Sequence, residues 1–166
     1  MTVSPTVFIL DVDGVMTDGR MYYTQDGKAM KAFGPDDHDA LTLLKPHLSI
    51  HVVSGDKRGF DISRARIQED MQLPLDLVST IHRKEWLAER WDLNEVIYMG
   101  DGIFDHYVLE AVRYGIAPAN GHEFARNVAD YVTKRSGGDR AVAEAALHIL
   151  DLFFQPYDKS ERPRAN

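Results

Sequence analysis

The 166-residue chain contains no cysteine. That absence excludes disulfides, thiolate nucleophiles and zinc–thiolate sites together, and it fits a reducing compartment. Long apolar runs are missing too, since none approaches the roughly 18 residues that a membrane span requires. Met1-Thr2-Val3-Ser4-Pro5 lacks the basic and apolar regions of a secretion signal, so a cytoplasmic protein with no membrane partner is expected. Positive charge is in short supply, with 19 Lys and Arg against 26 Asp and Glu and a net charge of -7. A nucleic-acid backbone would be repelled on average, so no nucleic-acid partner is expected.

What is present is organised around Phe8-Ile9-Leu10-Asp11-Val12-Asp13-Gly14-Val15. An apolar run that breaks into two carboxylates followed by glycine reads as a buried strand whose C-terminal tip delivers Asp11 and Asp13 into a crevice. Period-two geometry would put both on one face with Val12 behind them. Carboxylates so close repel, and burial raises the cost, so a cation such as Mg²⁺ or a shared proton is expected between them. On the dipeptide alone, Asp-Gly is the plainer signal of a turn.

Further along, Met21-Tyr22-Tyr23 and Ala29-Met30-Lys31-Ala32-Phe33 flank Asp26-Gly27, a hairpin signal that places a β-flap over about 17–35. A helix follows from Asp36 or Asp37, with Leu41, Leu44 and Leu48 inward and Pro46 ending it early. Further strands are expected at Ile50–Val53, Leu75–Val78, Glu95–Met99, Tyr114–Ala117 and Tyr131–Thr133. Helices are expected over 58–71, 82–91 and 123–128, and after Gly137-Gly138. Trp86, Trp91 and Phe104 read as core. The alternation argues for an α/β fold, a doubly wound, mostly parallel Rossmann-like sheet in a single domain over 1–154, with a flexible tail over 155–166.

Ligands of such sheets bind outside the C-terminal strand ends. Asp11, Asp13, Ser54 and Asp101 fall at three such ends, and Lys84 stands in the first turn of a nearby helix, against the dipole preference for anions there. This constellation suits an Asp11 nucleophile attacking phosphorus to form an aspartyl phosphate. Mg²⁺ on Asp11, Asp101 and the Asp13 carbonyl would neutralise charge, and Lys84 and the Ser54 hydroxyl would hold phosphoryl oxygens. Asp13 would protonate the leaving alcohol and afterwards activate water. Asp105, four residues after Asp101 and so on the same helical face, would orient Lys84 or a water.

These motifs, Asp11-Val12-Asp13-Gly14-Val15-Met16-Thr17-Asp18-Gly19, Ser54-Gly55, Lys84 and Gly100-Asp101-Gly102-Ile103-Phe104-Asp105, resemble the four ordered motifs of haloacid dehalogenase-like phosphatases. The chain is most similar to the small cap-less branch that acts on 3-deoxy-D-manno-octulosonate (KDO) 8-phosphate and related nonulosonate 9-phosphates. The resemblance implies catalysis by Asp11, Asp13, Lys84 and Asp105. It implies substrate contacts from Thr17, Ser54, Gly55, Asp56, Arg64 and Lys84, and Mg²⁺ on Asp11, Asp13 and Asp101. It further implies a phosphorylated sugar-acid substrate and a homotetramer in which a neighbour's flap and tail complete each site.

Gly102 stands where the family often has a second aspartate, and Asp56 where octulosonate phosphatases tend to have arginine. The acidic residue is closer to the nonulosonate branch, so the sugar acid stays open between the two. Arg162 and Arg164 would reach a neighbour's substrate carboxylate, and Lys57, Arg58, Arg66, His82, His38 and His106 are further candidates near the mouth. Two readings of other classes compete: a phospho-accepting receiver domain, and a catalytically impaired interaction subunit suggested by Gly102 and Asp56.

Overall fold

A computed structural model describes residues 4–161. Strands β1 (Val7–Asp11), β4 (Ser49–Ser54), β5 (Leu75–Leu77), β6 (Val96–Met99), β7 (Tyr114–Ala117) and β8 (Tyr131–Val132) form one sheet in the order β5-β4-β1-β6-β7-β8. Every pairing in it is parallel. The chain winds outward from β1 in one direction and then returns to wind outward from β6 in the other. The strand order therefore reverses between β1 and β6, where crevices open in such sheets.

Buried on both sides, β1 serves two cores by alternation. Phe8 and Leu10 pack with α1 (Asp37–Leu44) and α6 (Ala141–Phe153) through Leu41, Leu44, Val142 and Ile149. Val7 and Ile9 pack on the other side, with Leu87 of α3 (Arg83–Ala88), Val108 of α4 (His106–Leu109) and Ala125 of α5 (Glu123–Val128). Period two aims Asp11 at that second layer as well. α2 (Phe60–Arg64) continues into a wider helical turn over Ala65–Asp70, making the expected helical stretch in two pieces. α1 stops before Pro46 as expected, but its N-cap residue Asp36 has φ 66° and makes no side-chain cap bond.

Beyond Asp11 the strand gives way to an irregular turn over Val12–Met16. Asp13 therefore does not share a strand face with Asp11 as the alternation predicted. Gly14 has φ +88°, and a Cβ there would lie 2.0 Å from Asp101 Oδ2, so the turn demands glycine. Thr17, fully buried, accepts hydrogen bonds from Gly14 N and Gly19 N at 3.1 and 3.2 Å. The turn is backed by Gly137, whose N–H reaches Asn120 Oδ1 at 2.7 Å. The flap is the hairpin β2 (Tyr22–Thr24) and β3 (Gly27–Met30), its base closed by an antiparallel bridge between Thr17 and Phe33. Among the described residues no helix is long and apolar enough to cross a membrane.

A Cβ on Gly137 would meet Gly14 O at 1.9 Å. Gly137→Ala should therefore destabilise the fold by about 1–3 kcal/mol, the usual cost of overpacking, measured by urea unfolding. Wild-type stability in that variant would contradict this close backing of the turn.

Candidate active site

The second layer meets β1 at Asp11, which is 5% exposed. Its Oδ1 accepts from Val12 N at 2.8 Å, and its Oδ2 from Arg83 Nη1 at 2.7 Å. Arg83 is wholly buried, and the same nitrogen also donates to Tyr98 Oη at 2.8 Å and Asp105 Oδ1 at 3.2 Å. Tyr98 passes its hydroxyl proton toward Asp105 Oδ1 at 2.6 Å, and Gly102 N donates to Asp105 Oδ2 at 2.8 Å. Asp105 is thus engaged at both oxygens.

Arg83 occupies the position expected of Lys84, whose side chain is exposed. Helical period explains the exchange: Arg83 lies one turn before Leu87, and both are buried, whereas Lys84 shares its stripe with exposed Ala88. The inward-facing Leu87 was the signal in the sequence that selects Arg83 over its neighbour. Asp105 also reaches the site by a different route from the one expected. Asp101 precedes α4, and Asp105 is the N-cap of that helix, so the two meet across a turn rather than on a helical face.

Asp13 belongs to a separate network. Its Oδ1 pairs with Lys31 Nζ at 2.8 Å, and its Oδ2 accepts from Ser54 Oγ at 3.2 Å. Lys31 also contacts Asp56 Oδ2 and Ser63 Oγ, each at 2.9 Å, and Lys28 pairs with the same Asp56 oxygen. Sequence reading missed both flap lysines. Lys28 and Lys31 stand three residues apart, a spacing that sends strand side chains to opposite faces, and which way a flap folds is not local information.

Asp11, Asp13, Gly55, Asp56, Thr80, Asp101 and Asp105 line a cleft of about 470 Å³, with Lys28, Met21, Ile103 and Phe104 around them. Phe104, expected in the core, is 41% exposed, because it sits on the turn after β6 instead of the helix. Trp86 and Trp91 do pack against the core. Thr17 is spent on the turn, and Arg64 pairs with Asp61 on the surface of α2, neither lining the cleft. Lys57, Arg58 and His82 are exposed, Arg66 pairs with Asp70, and His106 Nδ1 meets Ile103 O. His38 lines a separate small cavity. Arg162 and Arg164 lie outside the described residues.

Burial pushes the Asp11 carboxyl up to about 6, against the pull of Arg83 and with the push of Asp105 and Asp13. Burial and the charges of Asp11 and Asp105 push Asp101 up to about 8. One oxygen from each of Asp11, Asp101 and Asp105 falls within 4.8 Å of the others. Among the described residues at the cleft, five carboxylates (Asp11, Asp13, Asp56, Asp101, Asp105) face three cations (Lys28, Lys31, Arg83). An oxygen-only donor set suits a hard divalent ion such as Mg²⁺.

Residues 85–145 match the profile of the haloacid dehalogenase-like hydrolases. The chain is 32% identical over 154 residues to the 3-deoxy-D-manno-octulosonate 8-phosphate phosphatase KdsC of Salmonella typhi, covering 87% of this chain and 78% of that protein. The crystal structure of the corresponding Moraxella catarrhalis phosphatase, in complex with magnesium, phosphate and KDO, superposes with a TM-score of 0.78 at 27% identity. It covers 89% of this chain and 86% of its own. The cobalt-bound Haemophilus influenzae phosphatase gives a TM-score of 0.77 at 25% identity, over 89% and 88% of the two chains. With sheet, crevice and carboxylates in agreement, the chain belongs to the haloacid dehalogenase-like hydrolases, among the phosphatases that resemble KDO 8-phosphate phosphatase.

Proposed function

We propose that this chain is a Mg²⁺-dependent phosphatase that hydrolyses the phosphate monoester of an acidic sugar through an aspartyl phosphate on Asp11. The observation that carries this reading is the buried Asp11 carboxylate, clamped by Arg83 at the strand-order switch and opening onto a cleft rimmed by Asp13 and Asp101.

An Asp11 oxygen attacks phosphorus, the bond from phosphorus to the sugar oxygen breaks, and Asp13 supplies a proton to the departing oxygen. Water then attacks the phosphorus, Asp13 takes its proton, and phosphate departs, restoring the Asp11 carboxylate. Arg83 fixes the attacking carboxylate in place and offsets its charge, whereas Lys84, expected from sequence to hold phosphoryl oxygens, is exposed. Asp11 and Asp101 would hold Mg²⁺, with an oxygen of Asp105 within reach of theirs. When bound, the ion neutralises charge between nucleophile and phosphate.

The likeness to octulosonate phosphatases supports KDO 8-phosphate as substrate. Asp56 supports a nine-carbon ulosonate 9-phosphate as the second reading, although its charge is taken up by Lys28 and Lys31. Exposed Met21, Tyr22, Tyr23 and Met30 on the flap support assembly into a homotetramer whose flaps and tails close neighbouring sites. Asp13 beside the nucleophile favours turnover over a long-lived phosphoprotein of the receiver kind.

Asp11→Asn should abolish phosphate release while leaving the circular dichroism unchanged, and a panel of KDO 8-phosphate, ulosonate 9-phosphates and hexose 6-phosphates should rank a sugar acid first. Arg83→Met should lower kcat roughly 10²–10³-fold, as loss of a preorganised charge partner does, whereas Lys84→Met should stay near wild type. The reverse ranking would restore Lys84 to the site.

A carboxyl raised from its ordinary 3.8 to about 6 or about 8 keeps its proton longer folded than unfolded. Stability without metal should therefore fall as pH climbs through that window. Added Mg²⁺ should raise the melting temperature more at about pH 8 than at about pH 5, measured by scanning fluorimetry against an EDTA control. An increment that shrinks with pH would count against Mg²⁺ on Asp11 and Asp101.

A further inference from the structure

Lys31 follows β3 of the flap, yet its side chain is 0% exposed. An ammonium has three donors, and Lys31 has three acceptors: Asp13 Oδ1 at 2.8 Å, Asp56 Oδ2 at 2.9 Å and Ser63 Oγ at 2.9 Å. Nothing in this set faces the cleft as a free charge for substrate. Two of the acceptors belong to the body of the protein beyond the strand tip, Asp56 after β4 and Ser63 on α2. They anchor the ammonium, and the third acceptor is the carboxylate that moves protons.

Asp56 is itself well secured. Burial would raise its carboxyl, but hydrogen bonds from Lys28, Lys31 and Gly59 N bring it down to about 2. Gly59 N donates to Oδ1 at 3.1 Å while the lysines share Oδ2. Ser54, whose Oγ accepts from Asp56 N at 3.1 Å, donates to the other oxygen of Asp13. Asp13 thus accepts at both oxygens from groups that are themselves tied down.

We propose that Lys31 is a positioning residue for Asp13 in the second half-reaction, the hydrolysis of the aspartyl phosphate, so that seating the flap assembles the base. The inference rests on the phosphatase reading above. In that step a water oxygen bonds to phosphorus, the bond from phosphorus to the Asp11 oxygen breaks, and the water proton passes to Asp13 before release to solvent. A carboxylate accepting from two fixed donors is oriented to take that proton. Without Lys31, one of its oxygens loses its anchor.

p-Nitrophenyl phosphate separates the half-reactions, because nitrophenolate departs without a proton and phosphorylation of Asp11 then needs no acid. With Mg²⁺ present, Lys31→Met should give a full burst of nitrophenolate, then a steady state slowed roughly tenfold or more, the low end of what a positioned acid–base group contributes. Acid-quenched phosphoenzyme should accumulate, with KM no higher than wild type. Lys31→Arg should recover part of the steady-state rate. Asp13→Asn should trap the same species, and the Lys31→Met, Asp13→Asn double variant should be no slower than Asp13→Asn alone.

Ser63→Ala removes one anchor and should act in the same direction more weakly, which keeps the test available if Lys31→Met does not fold. Equal slowing of burst and steady state, no slowing, or a double variant slower than Asp13→Asn would overturn the role of Lys31 and leave the phosphatase reading standing. Retained turnover in Asp11→Asn would overturn that reading and the role of Lys31 with it.

Discussion

Burying a carboxylate is costly unless a cation meets it, and Asp11 is buried at the centre of the sheet. Arg83 meets that cost from the neighbouring helical layer at 2.7 Å, and one nitrogen of its guanidinium gathers Asp11, Tyr98 and Asp105 together. β1, β6, α3 and α4 are therefore held by a shared charge as well as by apolar packing. Removing Arg83 would take from Asp11 and Asp105 the cation they share. Burial, more than the neighbouring carboxylates, raises the carboxyls of Asp11 and Asp101 against the pull of Arg83.

Beside this buried cluster stands a second, more superficial one. Lys28 and Lys31 bring two flap cations to Asp56 and Asp13, so the two aspartates of the opening motif are served by different parts of the molecule. Asp11 is held from below by a helix, and Asp13 from above by the flap. The irregular turn through Gly14 divides them, and the close approach of Gly137 holds that turn against the cleft. This separation gives two carboxylates two residues apart different surroundings and hence different work.

Much of the fold was legible in the chain. Val7 to Leu10 announced a strand buried on both faces, and the alternation of short apolar runs with helical stretches announced the doubly wound sheet. Asp11, Ser54 and Asp101 fell at strand ends as read, because residues directly after a buried parallel strand have nowhere else to go. Less was legible where a helix decides between adjacent residues. His82-Arg83-Lys84 offers three basic candidates in a row, and only the inward face set by Leu87 selects Arg83.

The sequence by itself determined the α/β architecture, the strand tip bearing Asp11, and the acidic character of the site, all consequences of local periodicity and of where apolar runs end. Tertiary structure alone decided that the helix carrying Arg83 lies against the tip bearing Asp11, and that Lys31 reaches Asp13 from the flap. Those pairings join residues distant in the chain, and their partners are chosen by crossing of layers and the fall of a hairpin. No spacing within a single segment encodes either.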